Sequence, residues 1–270
     1  MRCGANLIFL RGHGDPEMTP VALTIAGSDP SGGAGIQADL KTFHQRGVYG
    51  MSVVTLLTVQ NTKAVKEVLV IGAEKVIAQL DAVLEDMPCH AAKTGALGHQ
   101  NVIHLLAGRV KDFGFPLIVD PVMVSKHGAP LMVREAHEVF KKELLPHATL
   151  VTPNLYEASE LAGFPVSDME SMEKAAREIA TQGPKAVLVK GGHVPINHEA
   201  IDVLYADGRI NIFRSPYLDT RHTHGTGCTY SAAITAEIAK GKPISEAVRV
   251  AKEFITKAIE TSPGLGGGWG

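Results

Sequence analysis

Cysteine is scarce: Cys3, Cys89 and Cys228 are scattered through 270 residues. That spread excludes a disulfide framework and offers no Cys-x-x-Cys pair for zinc. A chain this long buries enough surface to fold without such staples, and reduced thiols point to a cytoplasmic setting. Neither sign of charge is in excess, since 26 basic against 28 acidic side chains leave −2. The basic surplus that nucleic acid or an anionic membrane demands is missing, so a small molecule is the expected partner. No apolar run approaches the ~20 residues of a membrane span. The stretch Ala5–Leu10, broken by Asn6, lacks both the length and the cleavage site of a signal peptide. Residues 1–17 therefore read as a poorly ordered extension, with Met18 a candidate start and 18–270 one domain. Two catalytic signatures are also absent. Without G-x-x-x-x-G-K-[ST] there is no P-loop, and without G-x-S-x-G there is no hydrolase nucleophile elbow. His222 and His224 have no third ligand at a suitable spacing, which excludes a zinc site.

What is present is an alternation of β-branched runs and helical patterns. Strands are predicted at Val21–Ala26, Ser52–Val59, Ala91–Thr94, Pro116–Val119, Thr149–Thr152 and Ala186–Lys190, with a short edge strand at Val65–Ile71. Helices are predicted at Ala34–Arg46, Ala73–Leu84, Asn101–Lys111, Arg134–Leu145, Leu155–Ala162, Ser171–Thr181, Thr226–Ala239 and Ser245–Thr261. The runs Glu199–Tyr205 and Arg209–Arg214 flank Asp207-Gly208, a hairpin signal. Such alternation implies an α/β fold, its mostly parallel central sheet covered on both faces and carrying one antiparallel hairpin. Ligands in such sheets bind beyond the carboxyl ends of the strands. Gly27–Asp29, Gln60–Asn61, Lys93–Gly95, Asp120–Pro121, Asn154 and Lys190–Gly192 all fall there.

Three segments carry chemistry. AGSDPSGGAGIQADL (26–40) sets glycines between a strand and a helix. The glycines come too late for a dinucleotide turn, and no acid ends the next strand, so the loop reads as a close approach to a small ligand, with Asp39 facing it. THGTGCTYSAAITAEIA (223–239) places Gly225 and Gly227 at a helix N-terminus, where amide N–H groups and the dipole converge on an anion. Its positive charge would come from Lys190 at a strand end. In TPNLYEASEL (152–161), Asn154 and Glu157 share one helical face. They read equally as an N-cap with its N3 acid or as a polar pair beside polyphosphate, with a carboxylate holding Mg²⁺ through water. Asp120 is a second carboxylate for that ion.

Taken together, VALTIAGSDPSGGAGIQADLKTF, VQNT (59–62), KTGALG (93–98), DPVMVSKHG (120–128), TPNLYEA (152–158), VKGGH (189–193) and HGTGCTYSAA (224–233) occur in an order that resembles the hydroxymethylpyrimidine/phosphomethylpyrimidine kinases of thiamine biosynthesis, in the ribokinase-like superfamily. The resemblance spans roughly residues 18–262. It implies a three-layer α/β/α domain, homodimeric, that uses ATP and Mg²⁺. The expected acceptor is 4-amino-5-hydroxymethyl-2-methylpyrimidine, followed by its monophosphate. It assigns Gln60 to the pyrimidine edge, with Gly27, Ala34, Asp39, Thr58, Ala96 and Val122 lining the same pocket. Asn154 and Thr226 fall to the nucleotide, Glu157 and Asp120 to Mg²⁺, Lys190 to phosphate, and Gly225, Thr226, Gly227 and Cys228 to the anion hole. Cys228 stands where sugar kinases of the superfamily carry a general-base Asp. A thiol lowered by the helix terminus would serve the first transfer more than the second, whose nucleophile is already a phosphate oxygen. Pyridoxal kinases of this group carry a cysteine where this chain has Ser125, which disfavours that alternative. A silent pyrimidine-binding regulator would have lost Glu157, Lys190 or the glycine turn, and all are present. Ser125–Gly128 is a candidate lid. The segment after residue 262 departs from the family pattern, leaving closure over the nucleotide without support.

Overall fold

The computed structural model describes residues 19–125, 128, 130–192 and 198–269. The extension at 1–17, Met18, and Lys126 and His127 of the candidate lid lie outside the described residues.

A nine-stranded sheet forms the centre. It comprises β1 (Val21–Ser28), β2 (Tyr49–Gln60), β3 (Val65–Val70), β4 (Ala91–Thr94), β5 (Leu117–Val119), β6 (Leu150–Val151), β7 (Ala186–Lys190), β8 (Glu199–Ala206) and β9 (Arg209–Pro216), in the order β3-β2-β1-β4-β5-β6-β7-β8-β9. The six strands from β2 to β7 in that order are parallel, and the β8–β9 hairpin closes one side antiparallel. The opposite edge is antiparallel as well: β3 folds back on β2, an addition to the single hairpin that the sequence predicts. The loop from Asn61 to Ala64 is too short for the crossover that a parallel connection needs.

Successive residues in the central strands alternate between two cores, as the pleat requires. Leu23, Ile25, Leu117, Val119, Val187 and Val189 join one cluster with α2 (Ala73–Asp86), α3 (Gln100–Val110), α4 (Arg134–Val139), α5 (Leu155–Ala162) and α6 (Met169–Ala180). Ala22, Ile118, Ala186 and Leu188 join the other with α1 (Gly35–Gln45), α7 (Thr226–Ala239) and α8 (Ile244–Glu260). Burial on both faces explains why these strands read as continuous apolar runs. α7 is buried throughout its second half, consistent with an apolar composition all round.

The helix predicted over 134–145 widens after Val139 into a π-helical turn, Phe140–Leu144, then tightens into a 3₁₀ turn, Leu145–His147. Phe140, Leu144 and Leu145 are all buried. A 3.6-residue period would already place Leu144 on the face of Phe140, and the wider i→i+5 turn adds Leu145 to it.

β1 and β4 are neighbours, and the connection from β1 runs one way to β2 while that from β4 runs the other way to β5. That reversal opens a crevice at the carboxyl ends of the strands, where α/β sheets take ligands.

Candidate active site

A cleft of about 940 Å³ runs along this edge from Gln60 at the end of β2 to Pro216 at the end of β9. It is lined by Gly27, Ala34, Thr58, Gln60, Ala96 and Val122 toward one end, and by Asn154 and Lys190 toward the other. Asp120, Glu157 and the turn Gly225–Cys228 also line it. The predicted site residues therefore converge on one cavity, with one exception.

Asp39 does not line the cleft. It is fully buried beneath it and accepts two hydrogen bonds from Lys93 Nζ, at 2.9 and 2.8 Å, and one from Thr24 Oγ1 at 2.6 Å. Its place one turn into α1 points it inward rather than along the loop. Lys93, from the KTGALG segment, takes the cleft position instead. Although burial opposes charge here, the Asp39 carboxylate holds the Lys93 ammonium above its ordinary value.

The N-terminus of α7 faces the cleft. Its N-cap, Gly225, is left-handed at φ 73° and supplies no capping side chain, so the first amides of the helix keep their capacity for an anion. A Cβ on Gly227 would stand 3.4 Å from Lys190 Nζ, which puts that ammonium beside the turn. Much of the glycine signal in the first loop has a different cause. A Cβ on Gly225 would collide with the Gly33 carbonyl oxygen, and one on Gly35 with the Gly27 carbonyl oxygen. Gly225 lets two loops pack main chain against main chain, and Gly35 lets the first loop fold back on the end of β1.

The lowered thiol expected at Cys228 is not found. Burial pushes it up to about 11, outweighing the pull of the Lys93 ammonium, and Asp39 and Asp120 add to the rise. At neutral pH the group is a thiol.

Asn154 and Glu157 form the helix cap of the first reading and also stand at the cleft. The Asn154 side chain accepts from the Glu157 N–H at 2.9 Å, and the Glu157 carboxylate accepts from the Asn154 N–H at 2.8 Å, a reciprocal capping box at the start of α5. The same box holds Glu157 at the cleft wall. Asp120 accepts from Lys190 Nζ at 2.8 Å, Thr152 Oγ1 at 3.1 Å and Ser231 Oγ at 3.1 Å. Burial pushes the Glu157 carboxyl up to about 7, with Lys190 opposing and Asp120 adding to the rise. Two carboxylates that repel one another beside an anion cradle suit a hard divalent cation, which takes one or two carboxylates and keeps its remaining ligands as water and phosphate. The residues present fit Mg²⁺. Among the described residues no group of three or more His, Cys, Asp or Glu forms a metal cage.

Sequence reasoning missed several members of this site. His224 Nε2 lies 2.7 Å from Asp29 Oδ2 and 3.5 Å from Gln60 Nε2. Against burial, hydrogen bonds from His224 and Ser31 hold the Asp29 carboxyl below the usual range. Asp202 accepts from the Gly191 N–H at 3.0 Å and from Lys252 Nζ at 2.7 Å, fixing the turn after Lys190. Its signal was a carboxylate inside the apolar run of β8, matched by a lysine on the apolar stripe of α8. The segment after residue 262 meets the Gln60 end of the cleft at Thr62 and His224.

The phosphomethylpyrimidine kinase family model matches residues 29–270. Hydroxymethylpyrimidine/phosphomethylpyrimidine kinase of Haemophilus influenzae is 47% identical over 252 residues, covering 92% of this chain and 94% of that protein. The crystal structure of phosphomethylpyrimidine kinase from Clostridium difficile superposes with a TM-score of 0.78 at 43% identity, covering 88% of this chain and 99% of the other. Pyridoxal kinase of Bacillus subtilis, solved as an ADP complex, gives a TM-score of 0.84 at 40% identity, covering 92% and 94%. With the three-layer ribokinase-like fold in place, and with these matches running through the cleft-lining segments, the chain belongs to the phosphomethylpyrimidine kinase family.

Proposed function

We propose that this chain transfers the γ-phosphoryl group of ATP to 4-amino-5-hydroxymethyl-2-methylpyrimidine and then to the resulting monophosphate, the kinase steps of thiamine diphosphate formation. The observation that carries this reading is the uncapped N-terminus of α7, set beside the Lys190 ammonium and midway along a cleft that has Gln60 at one end.

In this reading the Gln60 amide donates to and accepts from the aminopyrimidine edge, while Gly27, Ala34, Thr58, Ala96 and Val122 shape the pocket around the ring. The amides of Gly225, Thr226, Gly227 and Cys228 hold the transferring phosphoryl group, and Lys190 neutralises its charge. Asn154 and Thr226 bind the nucleotide. Asp120 and Glu157 would hold Mg²⁺, which when bound neutralises charge on the phosphate oxygens. Asp39 acts from below by fixing Lys93. Phosphoryl transfer rests mainly on positioning and charge stabilisation, so a thiol that starts protonated at Cys228 is compatible with turnover.

The chain acts as a homodimer in the same reading. Leu57, Val59 and Leu69 share the outer face of the β2–β3 hairpin and are 44%, 53% and 58% exposed, an apolar strip of the kind that marks an interface.

The test is transfer from ATP–Mg²⁺ to the hydroxymethyl pyrimidine, its monophosphate and pyridoxal. Turnover on both pyrimidines, weakened by Gln60→Ala and by Glu157→Ala, is the expected result. Turnover on pyridoxal alone would move the protein to vitamin B6 salvage. Binding without turnover would make it a regulator.

A further inference from the structure

Lys93 is a buried ammonium to which the proposed transfer gives no task of its own. It stands near the carboxyl end of β4, between β1, which leads to Gly27, and β5, which leads to Asp120. Along the cleft it therefore falls between the Gln60 end and the Asp120–Lys190 pair. Its side chain and that of Asp39 are both shielded from solvent. An ammonium has three N–H donors. Asp39 Oδ1 and Oδ2 take two of them, at 2.9 and 2.8 Å, and among the described residues no acceptor takes the third. A donor left open inside a protein is costly, so its retention beside a cavity points to a task outside the pair.

The pair is set end-on to the cavity. Lys93 lines the cleft and Asp39 does not, so the positive end is the nearer one. The wall in front of it is made of small residues. A Cβ on Gly95 would stand 3.7 Å from Lys93 Nζ and 2.9 Å from Ala26 Cβ, and both Ala26 and Gly95 line the cleft. A larger side chain at Gly95 would set apolar atoms beside the charge. Lys190 is uncovered in the same way, since a Cβ on Gly227 would stand 3.4 Å from its Nζ. Cys228, at the start of α7, lies within electrostatic reach of both ammoniums.

The two acceptors differ in what such a charge does for them. A neutral alcohol gains little from it. A phosphate monoester carries about −2 charge and must approach a phosphoryl donor of the same sign, while Lys190 is already engaged by Asp120. A charge held away from water is weakly screened, so its field reaches across a thin wall.

We propose that the Lys93–Asp39 pair determines acceptance of the phosphorylated acceptor: the inner carboxylate fixes the ammonium, and the ammonium offsets the charge of the acceptor's own phosphate across the wall formed by Ala26 and Gly95. This inference rests on the function proposed above and makes Lys93 a specificity-determining residue that acts by its field, not by contact.

The test is calorimetric titration of the full-length, nucleotide-free protein with 4-amino-5-hydroxymethyl-2-methylpyrimidine and, separately, with its monophosphate at pH 8. Lys93→Met alone strands a buried carboxylate, so the variant used is Lys93→Met with Asp39→Leu, its fold checked by Tm. A second neutral pair, Lys93→Gln with Asp39→Asn, keeps hydrogen-bonding side chains in both places. In each double variant Kd for the monophosphate rises about tenfold, while Kd for the alcohol changes by much less, and kcat/KM for the two transfers divides in the same way. A purely structural pair would move both acceptors together. Equal losses on the two acceptors, or an unchanged Kd for the monophosphate, overturn the proposal. Failure of the unmodified protein to bind either pyrimidine overturns the functional reading instead, so the two failures are told apart.

Discussion

Asp39 and Lys93 share a bond in which neither side chain reaches solvent. Removing one partner leaves an uncompensated charge in a low-dielectric interior. Asp39→Ala is therefore expected to cost about 3–5 kcal/mol, measured as a fall in Tm. Asp39→Leu combined with Lys93→Met removes both charges and recovers most of that stability. The sequence marks Asp39 as unusual through its glycine-rich surroundings but not through its partner, because Lys93 lies two strands away in the order of the chain. At Cys228, the pKa near 11 sets a direction for pH. If the thiolate takes the hydroxyl proton, the alcohol step needs the deprotonated form, which is rare at pH 7. Its rate then rises about tenfold per pH unit toward 11, while the monophosphate step, whose nucleophile is already ionised, shows no such slope. Cys228→Ala abolishes the slope. A pH profile of each step measured with its own acceptor checks this, and equal slopes would remove the thiol from the proton path.

The N-terminal turn of α7 depends on a residue that no side chain can replace. Gly225 is left-handed and sits against the Gly33 carbonyl. Gly225→Ala is expected to lower kcat by about 10²-fold or more, the usual loss when an anion-hole donor is displaced. KM for the pyrimidine should rise with it, because the strain is shared with the acceptor loop. Steady-state kinetics on both substrates separate this from a change confined to the nucleotide. Most elements were legible beforehand, because central parallel strands such as Leu117–Val119 and Ala186–Val189 are uninterrupted apolar runs and α1 and α7 follow glycine punctuation. Three features were not. The π-helical turn at Phe140–Leu144 breaks the period on which helix prediction rests. The start of α6 is capped by Asp168 and Ser171, a box without the usual Glu or Gln. β2 reaches Gln60 because the β3 pairing extends it, and pairing partners are not a local property. The cleft residues were found mainly because their segments resemble a family. By spacing alone, Asn154 and Glu157 look like any helix cap, and in this fold they are one.

Across the whole molecule, the two edges of the sheet are treated differently. The β8–β9 hairpin ends the sheet beside the Asn154 end of the cleft. The β2–β3 hairpin points Thr58 and Gln60 into the cleft while turning Leu57, Val59 and Leu69 outward, as a strand period of two demands. A contact on the outer face would therefore steady the wall that carries Gln60. Leu57→Glu with Leu69→Glu is expected to give a monomer by sedimentation equilibrium, with KM for the pyrimidine raised and KM for ATP little changed. A dimer that persists in this variant would place the interface elsewhere.

The back-to-back glycine loops also set a caliper. The gap between the glycine-rich loop after β1 and the N-terminus of α7 is fixed by main chain resting on main chain. Two acceptors that differ in length by one phosphate group must be served across the same opening. The longer one fits only by backing out along the cleft, which requires the far end to be open. An enzyme that takes up its own product for a second round therefore needs a pocket with a rigid front and an open far end.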